Sequence, residues 1–349
     1  MPENRALVFK SVPSGVPVAG EHFAVEPQDY DSEVSCPTGG IILKLLFSSI
    51  DPYQRGRMRQ PDVKYYSPPL RPGDVFTSRG IASVVRSDHA SYHPGDVVVG
   101  MFPIQEFAIL EGSQLAAIRL LDNPLGIEDI REFLGALGVP GLTAYIGLYE
   151  FGKPSAGQTI LVSAASGAVG QIVGQLAKLE GMRTIGSVGS DEKLQYITKE
   201  LGFDAGFNYK KETVSDALTR LAPEGLDIYY DNVGGEHLDV ALRNMNDFGR
   251  VVMCGTISDY NNGDQLGEGP PVRSCGNIFS RRLTARGFIV SDKGCADKYA
   301  KEHQDRIQPY IKDKTIKTKI WEIEGIERAP EAFLALFSGA NFGKSVLKY

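Results

Sequence analysis

"LVSAASGAVGQIVGQLAKLEG" (residues 161–181) joins an apolar run to a cluster of small residues, then to an amphipathic pattern that stops at Gly181. With the preceding residues, "TILVSA" (159–164) reads as a buried parallel strand and "AVGQIVGQLAKL" (168–179) as the helix that follows it. Between them, Ala165, Gly167 and Gly170 hold the three slots of a G-x-G-x-x-G dinucleotide fingerprint, with alanine in the first. Gly167 lets backbone approach a pyrophosphate, and Gly170 lets the helix pack closely on the strand. The helix N-terminus offers unpaired N–H groups and the positive end of its dipole to phosphates. A small-residue junction of this kind also arises from tight packing alone, so the surrounding chain has to decide.

It does so by repetition. "RTIGSV" (183–188), "AGFNY" (205–209), "LDIYYDNV" (226–233), "RVVMCGT" (250–256) and "ARGFIV" (285–290) read as further strands. Helical patterns lie between them: "DEKLQYITKEL" behind an N-capping Ser190 and ending at Gly202, "TVSDALTRLA" (213–222), and 236–247. Strands spaced by helices at intervals of roughly 20–35 residues are the mark of βαβ units in a doubly wound parallel sheet.

Residues 1–125 carry short apolar alternations broken by Pro and Gly, such as "IILKLLFSSI" (41–50), "GIASVVRS" and "FAIL", with turns at "RPGD" (71–74) and "HPGD" (93–96). This is β-rich character. The C-terminal stretch "IEGIERAPEAFLALFSGANFGKSVLKY" holds a helix and a last strand that return to the N-terminal unit. The expected organisation is a catalytic domain of 1–125 plus 310–349 and a dinucleotide-binding domain of 126–309 inserted into it. The loop 261–275 ("NNGDQLGEGPPVRSC") has no structure of its own to predict and is a candidate lid or interface.

Composition narrows the class. Apolar residues make up 42% and charged residues 23%, an ordinary globular balance, and the net charge of −6 speaks against nucleic acid or an anionic membrane as partner. The basic runs at 55–59 and 281–286 read as solvated faces. Cys36, Cys254, Cys275 and Cys295 lie far apart with no C-x-x-C pair, so neither a disulfide framework nor a structural zinc site is expected. "MPENRALVFK" lacks the apolar core of a signal peptide, and no run is long enough to span a bilayer; a cytoplasmic address is the expectation. His89 and His93 are four apart, but "DHASYHPGD" reads as a turn rather than a metal-binding helix. No G-x-S-x-G elbow or Cys–His arrangement is present. An enzyme built this way needs a bound hydride donor for the hard step.

The second strand bears on which donor. An NAD site places an acid at its end to hold the ribose 2′-OH. Here Ser187, Val188, Gly189 and Ser190 stand in that place, Asp191 comes late, and Lys193 follows. An ammonium beside a 2′-phosphate favours NADP(H), and Tyr209 adds a hydroxyl; the same spacing also fits a surface lysine.

Together with "SSIDPYQRGRM" (48–58), "YYDNVGG", "CGTISDYN" and "NFGKSVLKY" (341–349), these segments make the chain resemble the zinc-independent medium-chain dehydrogenase/reductases. Within that family it resembles the NADPH-dependent alkenal double-bond and prostaglandin reductases. The resemblance implies a Rossmann sheet inserted into a GroES-like catalytic domain, no metal, and a homodimer. It implies that Ser163, Ser166, Gly167, Ala168 and Val169 form the pyrophosphate turn, and that Gly189, Lys193 and Tyr209 hold the 2′-phosphate end. Asn232, Cys254, Ser258 and Tyr260 would line the path to the nicotinamide. Phe288, Ile289 and Val290 would offer backbone groups to the carboxamide, and Asn341 would close the site. Pro52, Tyr53 and Thr143 would lie near nicotinamide and substrate. The implied reaction is hydride transfer to the β-carbon of a small-molecule enone or enal, the enolate being stabilised by Tyr260 and the ribose 2′-OH, with Tyr53 positioning the substrate. A quinone oxidoreductase and an NADPH-binding protein without turnover are the alternatives.

Overall fold

A computed structural model of the chain describes residues 4–29, 35–262 and 269–349. The first part is β-rich: β1 (Asn4–Phe9), β2 (Phe23–Gln28), β3 (Ile41–Ser49), the short helix α1 (Tyr53–Arg57), β4 (Thr77–Ser87), β5 (Val97–Pro103), β6 (Phe107–Leu110) and β7 (Ile118–Leu120). Helix α2 (Val139–Ile146) leads into the alternating part: β8 (Thr159–Val162), α3 (Gly170–Leu179), β9 (Arg183–Val188), α4 (Asp191–Gln195), β10 (Ala205–Asn208), α5 (Val214–Leu221), β11 (Leu226–Asp231), α6 (Gly235–Asn244), β12 (Met245–Met253), α7 (Gly276–Ser280) and β13 (Thr284–Gly287). Helix α8 (Ala296–Lys312), β14 (Ile320–Glu324), α9 (Ala329–Ser338) and β15 (Lys344–Lys348) follow.

Strands β8 to β13 form one parallel sheet in the order β10-β9-β8-β11-β12-β13. In order of appearance that is third, second, first, fourth, fifth, sixth, the doubly wound arrangement in which ligands bind outside the carboxyl ends of the strands where the order reverses. The reversal falls between β8 and β11, where Val162 pairs with Tyr230. Ile160, Leu161 and Val162 of β8 and Ile228, Tyr229 and Tyr230 of β11 are fully buried, as expected of strands covered on both faces.

The second sheet runs β14-β15-β3-β4-β5-β7, with β6 also on β3. Strand β15 pairs antiparallel with β3, Val346 opposite Ser49. The expected junction at 309/310 lies within α8, whose helix carries Pro309 in its last turn. Two glutamines of α3 tie the sheets together: Gln171 and Gln175 accept from the amides of Lys319 and Lys317 at 2.9 Å each.

Boundaries shift where the backbone turns early. Helix α3 starts at Gly170, not 168, because Ala164 takes a left-handed φ of 48° and the Gly167 amide closes a turn onto the Ala164 carbonyl at 2.9 Å. Strand β13 ends at Gly287, so residues 288–290 form the loop beyond it. One expectation is corrected outright: the basic run 55–59 is not a solvated face. Arg55 and Arg59 are 3% and 6% exposed, because α1 and the following loop fold their guanidinium groups onto backbone carbonyls.

Candidate active site

The crevice at the sheet's reversal is built from the turn quoted first. A Cβ at Gly170 would lie 2.4 Å from the Ala164 carbonyl oxygen, so only glycine lets α3 begin this close to the end of β8. No side chain caps α3, whose Gln171, Ile172 and Val173 amides turn back onto the carbonyls of Gly167 and Val169. Gly167 meets Gly343 in an isolated bridge, and Asn341 Nδ2 donates to the Gly343 carbonyl at 3.3 Å, so the segment 341–343 borders the turn. Ser166 is buried and Ala168 and Val169 are half-buried around it. Ser163 is completely buried; its hydroxyl accepts from the Asn232 amide at 2.9 Å, and Asn232 Nδ2 donates to the Ser163 carbonyl at 2.8 Å.

At the end of β9, a Cβ on Gly189 would sit 3.0 Å from the Tyr209 hydroxyl. Ser190 caps α4 by accepting from the Lys193 amide at 3.2 Å. The Lys193 ammonium, which forms no ion pair among the described residues, donates to the Gly339 carbonyl at 2.7 Å. Its pKa is lowered by burial and by the neighbouring Lys210. Asp191 is turned away: Asn208 Nδ2 donates to it at 2.9 Å and the Lys211 ammonium pairs with it. The end of β9 therefore offers an ammonium and a hydroxyl where a 2′-OH site would need an available carboxylate. These residues fit a dinucleotide with a phosphorylated ribose, and the uncapped start of α3 fits its pyrophosphate.

Past β11 and β12 the crevice opens toward the β-rich sheet. Asp231 is buried and anchors the loop after β11, accepting from Tyr229 Oη at 2.7 Å and from the amides of Val233 and Gly234 at 2.9 and 2.8 Å. The Cys254 amide donates to the Asp231 carbonyl at 2.8 Å, and burial pushes the Cys254 thiol up to about 12. Ser258 donates to the Val233 carbonyl at 2.6 Å, which fixes the turn that carries Tyr260. Phe288 stacks near Phe151 with ring centroids 5.0 Å apart; the Ile289 amide donates to Asp292, and Val290 accepts from the Ala296 amide. The Thr143 carbonyl accepts from Tyr230 Oη at 2.9 Å.

From the other side, Pro52 caps α1 and Tyr53 begins it. The Tyr53 hydroxyl is buried without a hydrogen-bond partner among the described residues. Its pKa is raised by burial first and by Asp51 second. Asp51 is itself held by Lys344, whose ammonium is buried and donates to Asp51 at 2.9 Å and to the Ile50 carbonyl at 3.0 Å. Tyr260 is raised by burial, with Tyr65 and Tyr66 adding to the effect, and its hydroxyl turns toward that of Tyr65. Tyr65 and Tyr66 pack with ring centroids 4.5 Å apart, and the Arg59 guanidinium lies 5.1 Å from the Tyr65 ring centroid. Sequence reasoning misses this pair. The doublet "KYYSPP" sits in a Pro-rich loop with no periodicity, and its adjacency to "DPYQRGRM" is the one signal that could flag it.

The four phenols Tyr53, Tyr65, Tyr66 and Tyr260 stand together at this end of the crevice. They can donate hydrogen bonds to an oxygen that gains charge, and they hold their protons across the neutral range. Among the described residues there is no group of three or more His, Cys, Asp or Glu placed to hold a metal ion. His89 and His93 lie in the turn before β5. Residues 263–268 of the candidate lid lie outside the described residues. No described helix is long and apolar enough to cross a membrane.

Comparison with known proteins bears on the family and the coenzyme. Residues 5–118 match a family described as the N-terminal domain of oxidoreductase, and residues 168–304 one described as zinc-binding dehydrogenase. The NADP-dependent oxidoreductase RED1 of Cochliobolus heterostrophus is 47% identical over 100% of this chain and 98% of its own. The NADPH-dependent curcumin reductase of Escherichia coli is 37% identical over 99% of this chain and 96% of its own. The crystal structure of CurA from Vibrio vulnificus in complex with NADPH superposes with a TM-score of 0.88 at 34% identity, covering 99% and 98% of the two chains.

Proposed function

The chain belongs to the medium-chain dehydrogenase/reductase family and is an NADP(H)-dependent oxidoreductase, and from that premise we propose that it reduces the C=C bond of α,β-unsaturated aldehydes and ketones. NADPH, when bound, supplies the hydride. Residues 166–170 and the start of α3 would hold its pyrophosphate, and Lys193 and Tyr209 its 2′-phosphate. Asn232, Cys254, Ser258, 288–290, Asn341, Pro52 and Thr143 would line the rest of the way to the phenols.

The observation that carries this reading is the pair of phenols at the crevice, Tyr53 with a buried, unpartnered hydroxyl and Tyr260 with its pKa raised by desolvation. Reduction of a carbonyl leaves an alkoxide, a strong base that has to be given a proton at once. Reduction of a conjugated C=C leaves an enolate, a far weaker base that a hydrogen bond stabilises where it forms. A phenol that resists ionisation suits the enolate. Tyr260 donates to the developing enolate oxygen, and Tyr53 orients the same end of the substrate. The α-carbon then takes its proton from solvent. The small-molecule substrate of this reading is an enone or enal.

The test is NADPH oxidation with matched acceptors: a simple enal, a conjugated enone, the corresponding saturated aldehyde and ketone, and a quinone. Turnover of the enal and enone with the saturated C–C product recovered, and none of the saturated carbonyls, is the expected result. Allylic alcohol as product, or turnover of the quinone alone, would reject it.

A further inference from the structure

Arg55 is buried, lies on α1 two residues from Tyr53, and forms no ion pair among the described residues. Its guanidinium instead makes two hydrogen bonds to neutral acceptors from distant parts of the chain. Nε donates to Asn261 Oδ1 at 2.9 Å, and Nη2 donates to the Gly15 carbonyl at 2.9 Å. Asn261 follows Tyr260 in sequence and belongs to the nucleotide-binding part of the chain; α1 and Gly15 belong to the β-rich part. The Asn261 carbonyl also lies 3.7 Å from where a Cβ on Gly15 would be, so the 15-loop and the 261-turn are in contact around the guanidinium. A buried cation with no counter-charge is expensive to retain. A planar fork of fixed donors, however, holds two acceptors in a set relation, which a flexible ammonium does not.

We propose that Arg55 is a positioning residue for the reaction: by clasping Asn261 against the Gly15 loop it fixes the neighbouring Tyr260 opposite Tyr53 across the crevice. The two phenols come from opposite sides of the crevice, and their separation has to hold to a fraction of an ångström for both to meet one substrate. On the Tyr260 side, the turn is pinned to its own domain by Ser258 and Asn232. The Arg55–Asn261 bond is the side-chain link that carries it to α1. The kinetic part of this inference rests on the reading of Tyr260 given above; the clasp itself does not.

The experiment compares Arg55→Met and Asn261→Ala, which break the same bond from its two ends, with Tyr260→Phe and the double variant Arg55→Met/Tyr260→Phe. Backbone amide exchange of the free protein over residues 257–261 reads the clasp directly, and the less buried Asn261→Ala covers the case in which Arg55→Met does not fold. Both variants are expected to speed exchange there at least tenfold, leaving β8 and β11 unchanged. With NADPH and whichever acceptor the parent reduces, kcat is expected to fall 10- to 100-fold while NADPH affinity stays within threefold. Adding Arg55→Met to Tyr260→Phe should cost less than threefold more. Unchanged exchange at 257–261 overturns the clasp. Faster exchange with unchanged kcat, or a full multiplicative loss in the double variant, overturns the positioning role. Absence of turnover with every acceptor rejects the functional reading instead and leaves the exchange result to decide the clasp.

Discussion

Lys193 and Gly339 are joined by a 2.7 Å hydrogen bond from ammonium to carbonyl across 146 positions of sequence. The bond brings the C-terminal end of α9 to the start of α4. The ammonium is half-buried and its charge is not matched by a carboxylate among the described residues, so an arriving phosphate meets a cation that has shed part of its water. Lys193→Ala should weaken NADPH binding about 10- to 100-fold, the range for a hydrogen bond to a charged group of roughly 1.5–3 kcal/mol, and NADH binding less than threefold. Fluorescence titration with both coenzymes checks this; equal losses would remove Lys193 from the 2′-phosphate.

Tyr260→Phe deletes one donor and keeps the ring. Loss of a donor to a developing oxyanion costs about 3 kcal/mol, so kcat should fall on the order of 100-fold. NADPH affinity should hardly change. Single-turnover rates with NADPH and a conjugated enone separate this from an effect on product release; an unchanged rate constant for hydride transfer would remove Tyr260 from the mechanism.

Gly170→Ala would drive a methyl group to 2.4 Å from the Ala164 carbonyl. Overpacking of this kind costs about 1–3 kcal/mol, and here the strain is relieved only by moving α3 off the end of β8. Reduced thermal stability together with weaker NADPH and NADH binding is expected, since both share the pyrophosphate. A variant with unimpaired binding of either would contradict the assigned turn.

Acid sensitivity follows from three buried groups. Burial lowers His237 and His303 from 6.5 to about 4, and burial raises Glu132 from 4.5 to about 7. For each histidine the unfolded chain binds more protons between these values, so stability is lost as pH falls from about 6.5 toward 4, by roughly 3 kcal/mol each at most. Glu132 acts with the opposite sign: the folded chain binds more protons between 4.5 and 7, so stability is gained as pH falls through that window. Two contributions against one leave a net loss on acidification. In His303→Gln the remaining histidine and Glu132 nearly cancel, and the unfolding free energy from urea titrations between pH of about 6.5 and 4.5 should become almost level. A slope as steep as the parent's would contradict the assignment.

The alternating half of the fold was legible because buried parallel strands are written as continuous apolar runs, and because Ser190 announces α4 as a cap; Thr213, read as the first residue of the next helix, caps α5 in the same way, its hydroxyl accepting from the amide three residues on. The turn at 164–170 was legible because its glycines have steric work to do. The phenol cluster was readable only in part. Tyr53 and Tyr260 sit in segments with family likeness, whereas Tyr65 and Tyr66 lie in a loop where neither period nor turn chemistry marks a side chain as inward. Arg55 and Lys344 were unreadable for a different reason. A charged residue carries no local sign of burial, and what buries these two are partners elsewhere in the chain: Asn261 for Arg55, Asp51 for Lys344.

The return of β15 to β3 has a bearing on biosynthesis. A strand made late completes a sheet begun roughly 300 residues earlier, and the residues just before it border the turn at 164–170. A nascent chain whose residues 344–348 are still inside the ribosome exposes the Phe47–Ser49 edge of β3 and an unfinished crevice. On the reading proposed above, coenzyme capture is expected to wait until those residues emerge, and products that stop short of β15 are not expected to be rescued by abundant NADPH.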